Sequence, residues 1–132
     1  MRIFSVTILT IILATLSLTA CAANTNTKAG PAKAVEDYLN ALVAKDQNRL
    51  TSLSCKDWED DALLELDSFQ AVTTKLDGMA CEQTGTDGST ALVLCKGKII
   101  ATYNNENQEL DLSTRTYQVV QESGDWLVCG VR

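Results

Sequence analysis

Five cysteines, seventeen carboxylates and three tyrosines are the residues of this 132-residue chain that could do chemistry, and histidine is absent. Without an imidazole the chain can hold neither a Ser-His-Asp nor a Cys-His nucleophile, no His-ligated zinc or haem iron, and no pH switch near neutrality. Cys55, Cys81, Cys95 and Cys129 include no C-x-x-C pair, and their spacing is too wide for the close ligand pairs of structural zinc. They are therefore read as staples, with no metal and no cofactor expected. Cys81 and Cys95 stand equally far from Gly88 and would face each other across a hairpin. Cys95 and Cys129 would lie on strands separated by a third, roughly 9–10 Å apart at about 4.8 Å per strand, too far to bridge. The favoured pairing is Cys55–Cys129, tying the helical part to the last strand, followed by Cys81–Cys95.

The carboxylates are less informative. Asp57, Glu59, Asp60, Asp61, Glu65 and Asp67 form the densest charge run, but it lacks the glycine turn and alternation of a calcium loop. Carboxylates in a helix's first turn suit the helix dipole, so the run reads as a solvated face. Glu36 or Asp37 could serve as an acid or base, yet no second group stands at a telling distance, and no catalytic residue is assigned. The formal charge of −6 argues against nucleic acid, whose phosphates select basic surfaces.

The elements that must position these residues follow an address. Met1-Arg2 precedes an uncharged apolar run from Ile3 to Leu18, the layout of a secretory leader. The run ends in Leu18-Thr19-Ala20-Cys21, which resembles the lipobox of bacterial lipoproteins. That resemblance implies cleavage after residue 20, a thioether-linked lipid on Cys21, and a domain held by the bilayer on the extracytoplasmic side of the cell envelope. An unlipidated thiol after a soluble leader, or an uncleaved anchor, are the alternatives. An odd cysteine count in an oxidising compartment favours a separate use for Cys21. Residues 21–30 then read as the lipidated Cys and a flexible tether; the nine from Ala22 to Gly30 reach roughly 15–18 Å.

Residues 31–132 make one α+β domain. Pro31 suits a first helical position, and Val35, Tyr38, Leu39, Leu42 and Val43 form one apolar stripe. Asp46 can cap a short helix carrying Leu50 and Leu53. A third helix is predicted from about Asp57 to Phe69, burying Trp58, Ala62, Leu63, Leu66 and Phe69. Asp77-Gly78 should end that part. Four strands are then predicted, Met79–Thr84, Thr90–Tyr103, Glu109–Glu122 and Trp126–Val131, turning at Asp87-Gly88, Asn104-Asn105 and Ser123-Gly124. Val93, Cys95, Ile99, Ala101, Leu110, Leu112, Val120, Leu127 and Cys129 should share the face that the helices cover.

This order of helices and then an antiparallel meander, with an opening segment Ala34-Val35-Glu36-Asp37-Tyr38-Leu39-Asn40-Ala41-Leu42 and a last strand Asp125-Trp126-Leu127-Val128-Cys129, resembles the nuclear transport factor 2-like superfamily. It is similar in particular to small bacterial lipoproteins of that superfamily. The resemblance implies a curved four-stranded sheet wrapped around the first helix as a cone. Its enzymes place Asp, His or Tyr inside the cone, and here no His can match. Tyr38, Tyr103, Arg115, Tyr117 and Gln118 are the polar residues that could line such a pocket. The expected function is a membrane-anchored, non-enzymatic module that binds a protein or small molecule. The alternative is a small enzyme using carboxylate and Tyr.

Overall fold

The computed structural model describes residues 30–132; the expected leader, Cys21 and the expected tether through Ala29 lie outside them. Three helices precede a five-stranded antiparallel sheet: α1 (Pro31–Ala44), α2 (Gln47–Ser52), α3 (Glu59–Ser68), β1 (Thr73–Asp87), β2 (Thr90–Tyr103), β3 (Glu106–Asp111), β4 (Thr116–Glu122) and β5 (Asp125–Val131). The strand order is β1-β2-β4-β5, and β3 pairs with the other half of β2. Helix α1 packs on β1, β2, β4 and β5, so the sheet wraps around it.

The signals for the first two helices act as expected, whereas α3 follows a 3-10 turn over Lys56–Trp58 and buries Ala62 and Leu66 but leaves Trp58, Leu63 and Phe69 half-buried. Pro31 opens α1, where a missing N–H costs nothing. The stripe of Val35, Tyr38, Leu39 and Leu42 is fully buried. Asp46 caps α2, its carboxylate accepting from the Arg49 amide at 3.0 Å. Two contacts fasten the far end of α1. Thr74 Oγ1 donates to the Val43 carbonyl at 2.7 Å, and Lys45 Nζ donates to the Val72 carbonyl at 2.6 Å. Both tie the last turn of the helix, whose carbonyls lack internal partners, to the start of the sheet.

The sheet departs from expectation in three places. First, β1 begins at Thr73, so Asp77-Gly78 lies inside a strand and does not end an element. There Gly78 and Met79 oppose the single residue Gly97, a bulge with φ of 62° at Gly78 and 89° at Gly97. A Cβ on Gly97 would sit 2.5 Å from the Asp77 carbonyl oxygen, so only glycine lets the strands approach this closely.

Second, the predicted third strand is two. Asp111 accepts from the Ser113 amide at 2.8 Å and from its hydroxyl at 2.7 Å, stabilising a 3-10 turn over Leu112–Thr114. The turn drives Leu112 into the core, and the chain resumes as β4 beside the other half of β2. The sheet therefore has five strands, where four were expected.

Third, that break resets the alternation downstream. Tyr117 and Val119 face the core, and Val120 does not. Because Val119 pairs with Val128, the buried residues of β5 are Val128 and Gly130, whereas Leu127 and Cys129 are only half-buried. On β2 the expected face holds at Val93, Cys95 and Ile99, which are fully buried, but Ala101 is only half-buried and Leu110 of β3, expected on the same covered face, is exposed.

Both favoured disulfides are present, Cys55–Cys129 with Cα atoms 5.2 Å apart and Cys81–Cys95 with Cα atoms 4.0 Å apart. The second rests on a compensation. The β1–β2 hairpin turns at Gly88-Ser89, since Asp87 pairs with Thr90; a one-residue shift between Gln83 and Gly85 then brings Cys81 opposite Cys95. The first is reinforced by a rung of main-chain bonds. Val128 donates to the Leu53 carbonyl at 2.8 Å, and the Cys55 amide donates to the Val128 carbonyl at 2.9 Å.

Candidate functional site

A polar cluster joins α1, α3, the turn before α3 and β4. Trp58 Nε1 donates to the Tyr38 hydroxyl at 3.2 Å, and that hydroxyl donates to Glu65 Oε2 at 3.2 Å. The other oxygen of Glu65 forms an ion pair with the Arg115 guanidinium. Arg115 lies over the Tyr117 ring, 5.9 Å from its centre, and the Tyr117 ring meets Tyr38 edge-on at 6.4 Å. The chain of contacts therefore runs Trp58, Tyr38, Glu65, Arg115, Tyr117. Tyr38 and Tyr117 are fully buried; the Glu65–Arg115 pair is only partly so. The Tyr117 hydroxyl is buried and has no hydrogen-bond partner among the described residues.

The electrostatics follow from this packing. Burial, reinforced by the Glu65 carboxylate, raises the Tyr38 phenol well above its usual value. Burial likewise pushes Tyr117 up to about 12, against the opposing pull of Arg115. For Arg115, burial favours the neutral form, but the Glu65 carboxylate and its hydrogen bond outweigh it and raise the value. All three groups thus hold the protonation states they have in neutral water: two neutral phenols beside a closed ion pair. Such a cluster can orient α3 on the sheet; it supplies neither a free base nor a poised acid.

Of the five predicted pocket residues, the fold brings together Tyr38, Arg115 and Tyr117. Tyr103 is 59% exposed near the end of β2, outside this cluster. Gln118 points to the opposite face of β4 and covers Gly130, whose notional Cβ would lie 2.8 Å from its amide oxygen. Glu65 belongs to the cluster, a correction to the reading of its whole charge run as a solvated face, and Trp58 joins it through its ring N–H. The signal for Glu65 is its place among Ala62, Leu66 and Phe69, one helical stripe with a carboxylate inside it.

The surface carries shallow clefts. One of about 210 Å³ lies near the start of α1, between Ala34, Asp37, Leu53 and the β4–β5 turn at Gly124-Asp125. Another of about 340 Å³ lies between the end of α3 (Ser68, Phe69, with Val72 beyond) and the β2–β3 hairpin (Ala101, Tyr103, Glu106, Gln108). A carboxylate oxygen of Glu122 lies within 4.8 Å of the sulfurs of Cys55 and Cys129. Those sulfurs are bonded to each other and so offer no thiolate to a cation. Among the described residues no helix is long and apolar enough to cross a membrane.

The class of protein defined here is α+β, with helices packed on one face of an open, five-stranded antiparallel sheet. No protein-family profile matches the chain, and no curated protein matches it. Among solved structures it is similar to RPA3114, a SEC-C motif containing protein from Rhodopseudomonas palustris, at a TM-score of 0.50 and 12% identity, over 75% of this chain and 74% of that one. It is also similar to Aln2 from a Streptomyces species, at a TM-score of 0.48 and 11% identity, over 73% of this chain and 80% of that one. The likeness to the first speaks to fold alone.

Proposed function

We propose that the protein is a lipid-anchored, extracytoplasmic binding module with a nuclear transport factor 2-like domain, held to a bacterial membrane through Cys21. The observation that carries this reading is the cysteine pairing. Cys55–Cys129 and Cys81–Cys95 use every cysteine of the described residues, the pattern of a small domain matured in an oxidising compartment. Cys21 is the one cysteine outside both bonds, and it stands where the apolar leader ends. The wrapping of β1, β2, β4 and β5 around α1 supports the superfamily reading.

A binding role is favoured over catalysis because large side chains fill the interior of the domain: Tyr38, Leu39, Leu42, Leu66, Ile99 and Leu112 are all fully buried. The enzyme reading draws on the convergence of Glu65, Tyr38, Arg115 and Tyr117. Neither tyrosine, however, stands in the wall of the clefts described above, so those clefts give a substrate no route to them.

Intact-mass measurement of the native product tests the anchor. The expected mass is that of a chain beginning at Cys21 and carrying acyl groups, and Cys21→Ser should move the domain to the soluble fraction. Each buried methylene contributes about 0.8 kcal/mol to membrane binding, so loss of two or three chains should abolish retention. A mature start without acyl mass, or a serine variant still on the membrane, overturns this reading.

A further inference from the structure

One uncovered edge of the sheet is β3 of the β2–β3 hairpin, and its features combine into a surface for a second strand. All six residues of β3 are exposed, and the strand is paired on one side only, with β2. The hairpin closes through a two-residue turn, Asn104-Asn105, with Tyr103 paired to Glu106. Hydrogen bonding alternates outward from such a turn, so the N–H and C=O groups of Asn107 and Glu109 point to the free edge. On the inner face, Tyr103 and Gln108 line the cleft bounded by Phe69 and Val72, and Leu110, 37% exposed, lies on the same face of β3. An open edge beside an apolar cleft is the geometry of strand addition: main-chain bonds bind, and the cleft takes alternate side chains.

The charges select the occupant. Glu106 lines the cleft, while Glu109 and Asp111 lie on the opposite face of the same short strand. Two copies paired antiparallel along β3 would bring Glu106, Glu109 and Asp111 of each onto one short seam, and centring the pair on Glu109 would oppose that residue to itself. Lys98 is the one β2 cation that offsets them, and it engages Glu109. A bilayer is also a poor occupant. The carboxylates of Glu106, Glu109 and Asp111 around the edge would be repelled by anionic lipid headgroups.

Resting on the reading of this domain as a binding module, we infer that the β3 edge and the Tyr103 cleft bind an extended basic segment of a partner protein, alternating Lys or Arg with apolar residues. The added strand pairs with Asn107 and Glu109 through its backbone, puts apolar side chains against Tyr103 and Leu110, and meets Glu109 and Asp111 on the opposite face with its cations.

The test uses the full chain in detergent and a fluorescein-labelled peptide alternating lysine and leucine, followed by anisotropy. Three comparisons accompany it: the same peptide N-methylated at alternate residues, a glutamate–leucine peptide, and the Glu109→Lys variant, whose thermal melting confirms folding. Saturable binding is expected, weakened about tenfold or more by N-methylation and by the charge reversal, and absent for the acidic peptide. Loss on Tyr103→Ser together with retention on Leu64→Ser, a change at an exposed residue of α3, would support the cleft's part. Equal binding of plain and methylated peptides, no binding at all, or self-association of the chain lost on the same charge reversal would overturn the inference. None of these outcomes depends on the acyl mass at Cys21, so the anchor and the edge can fail separately.

Discussion

Replacing Tyr117 by Phe should stabilise the protein, whereas the same change at Tyr38 should weaken it. Tyr117 is fully buried and its hydroxyl has no hydrogen-bond partner among the described residues, the adjacent Arg115 being ion-paired to Glu65, so folding strips that group of water without return. The cost of such a group is about 1–3 kcal/mol, and phenylalanine removes it while keeping the ring under Arg115 and against Tyr38. A gain of about 1 kcal/mol is expected. Tyr38→Phe instead deletes a donor to the Glu65 carboxylate and strands the Trp58 N–H. Its expected cost is about 2 kcal/mol, so the two variants should differ by about 3 kcal/mol. Urea unfolding with the disulfides intact, read at unchanged slope, measures both; a Tm shift of roughly 4–8 °C per kcal/mol provides a second reading. The alkaline limb adds a third. A phenol near 12 when folded and 10 when unfolded contributes stability that is whole below pH 10 and lost as the pH rises toward 12. The Phe variant should therefore lose less stability over that window. Destabilisation of Tyr117→Phe by about 1 kcal/mol or more would refute the reasoning, because it would mean that the hydroxyl has a partner in solution, either the adjacent Arg115 guanidinium or a water.

Two further predictions bear on the sheet. Gly97→Ala should cost roughly 2–4 kcal/mol, since its Cβ would meet backbone atoms at 2.5 Å in a left-handed conformation, whereas Gly88→Ala, with open space around it, should cost about 1 kcal/mol; equal melting of the two variants would disprove the close approach. Converting Cys55 and Cys129 to Ser should cost about 4.5 kcal/mol and converting Cys81 and Cys95 about 3 kcal/mol, following sequence separations of 74 and 14 in the chain-entropy account. Chemical denaturation gives the order, and a larger loss for the shorter loop would show that native packing, not chain entropy, governs these bonds.

Much of the fold was legible because its signals are local. The stripe of α1, the Asp46 cap and the Asn104-Asn105 and Ser123-Gly124 turns each depend on residues within a turn or two of one another. The Cys81–Cys95 pairing was legible by symmetry about Gly88, although the strands reach it through a shifted register. The polar cluster was half legible. Tyr38, Arg115 and Tyr117 stand out by type, but Glu65 is hidden in a run of carboxylates whose other members face water.

The amino-acid sequence alone decided which chemistry is impossible, since a chain without histidine has no imidazole in any fold. It also placed the start of α1 at Pro31 and the cap of α2 at Asp46, because capping and periodicity are properties of the covalent chain. Tertiary structure alone decided which face of β4 and β5 is buried. One 3-10 turn at Leu112 resets a two-residue alternation, and pairing transmits the change to the next strand. It likewise decided that Glu65 turns inward to Arg115 while Tyr103 stays in the open. Those outcomes depend on partners 50 residues away for Glu65 and on the absence of a covering strand among the described residues for Tyr103, which no local pattern records.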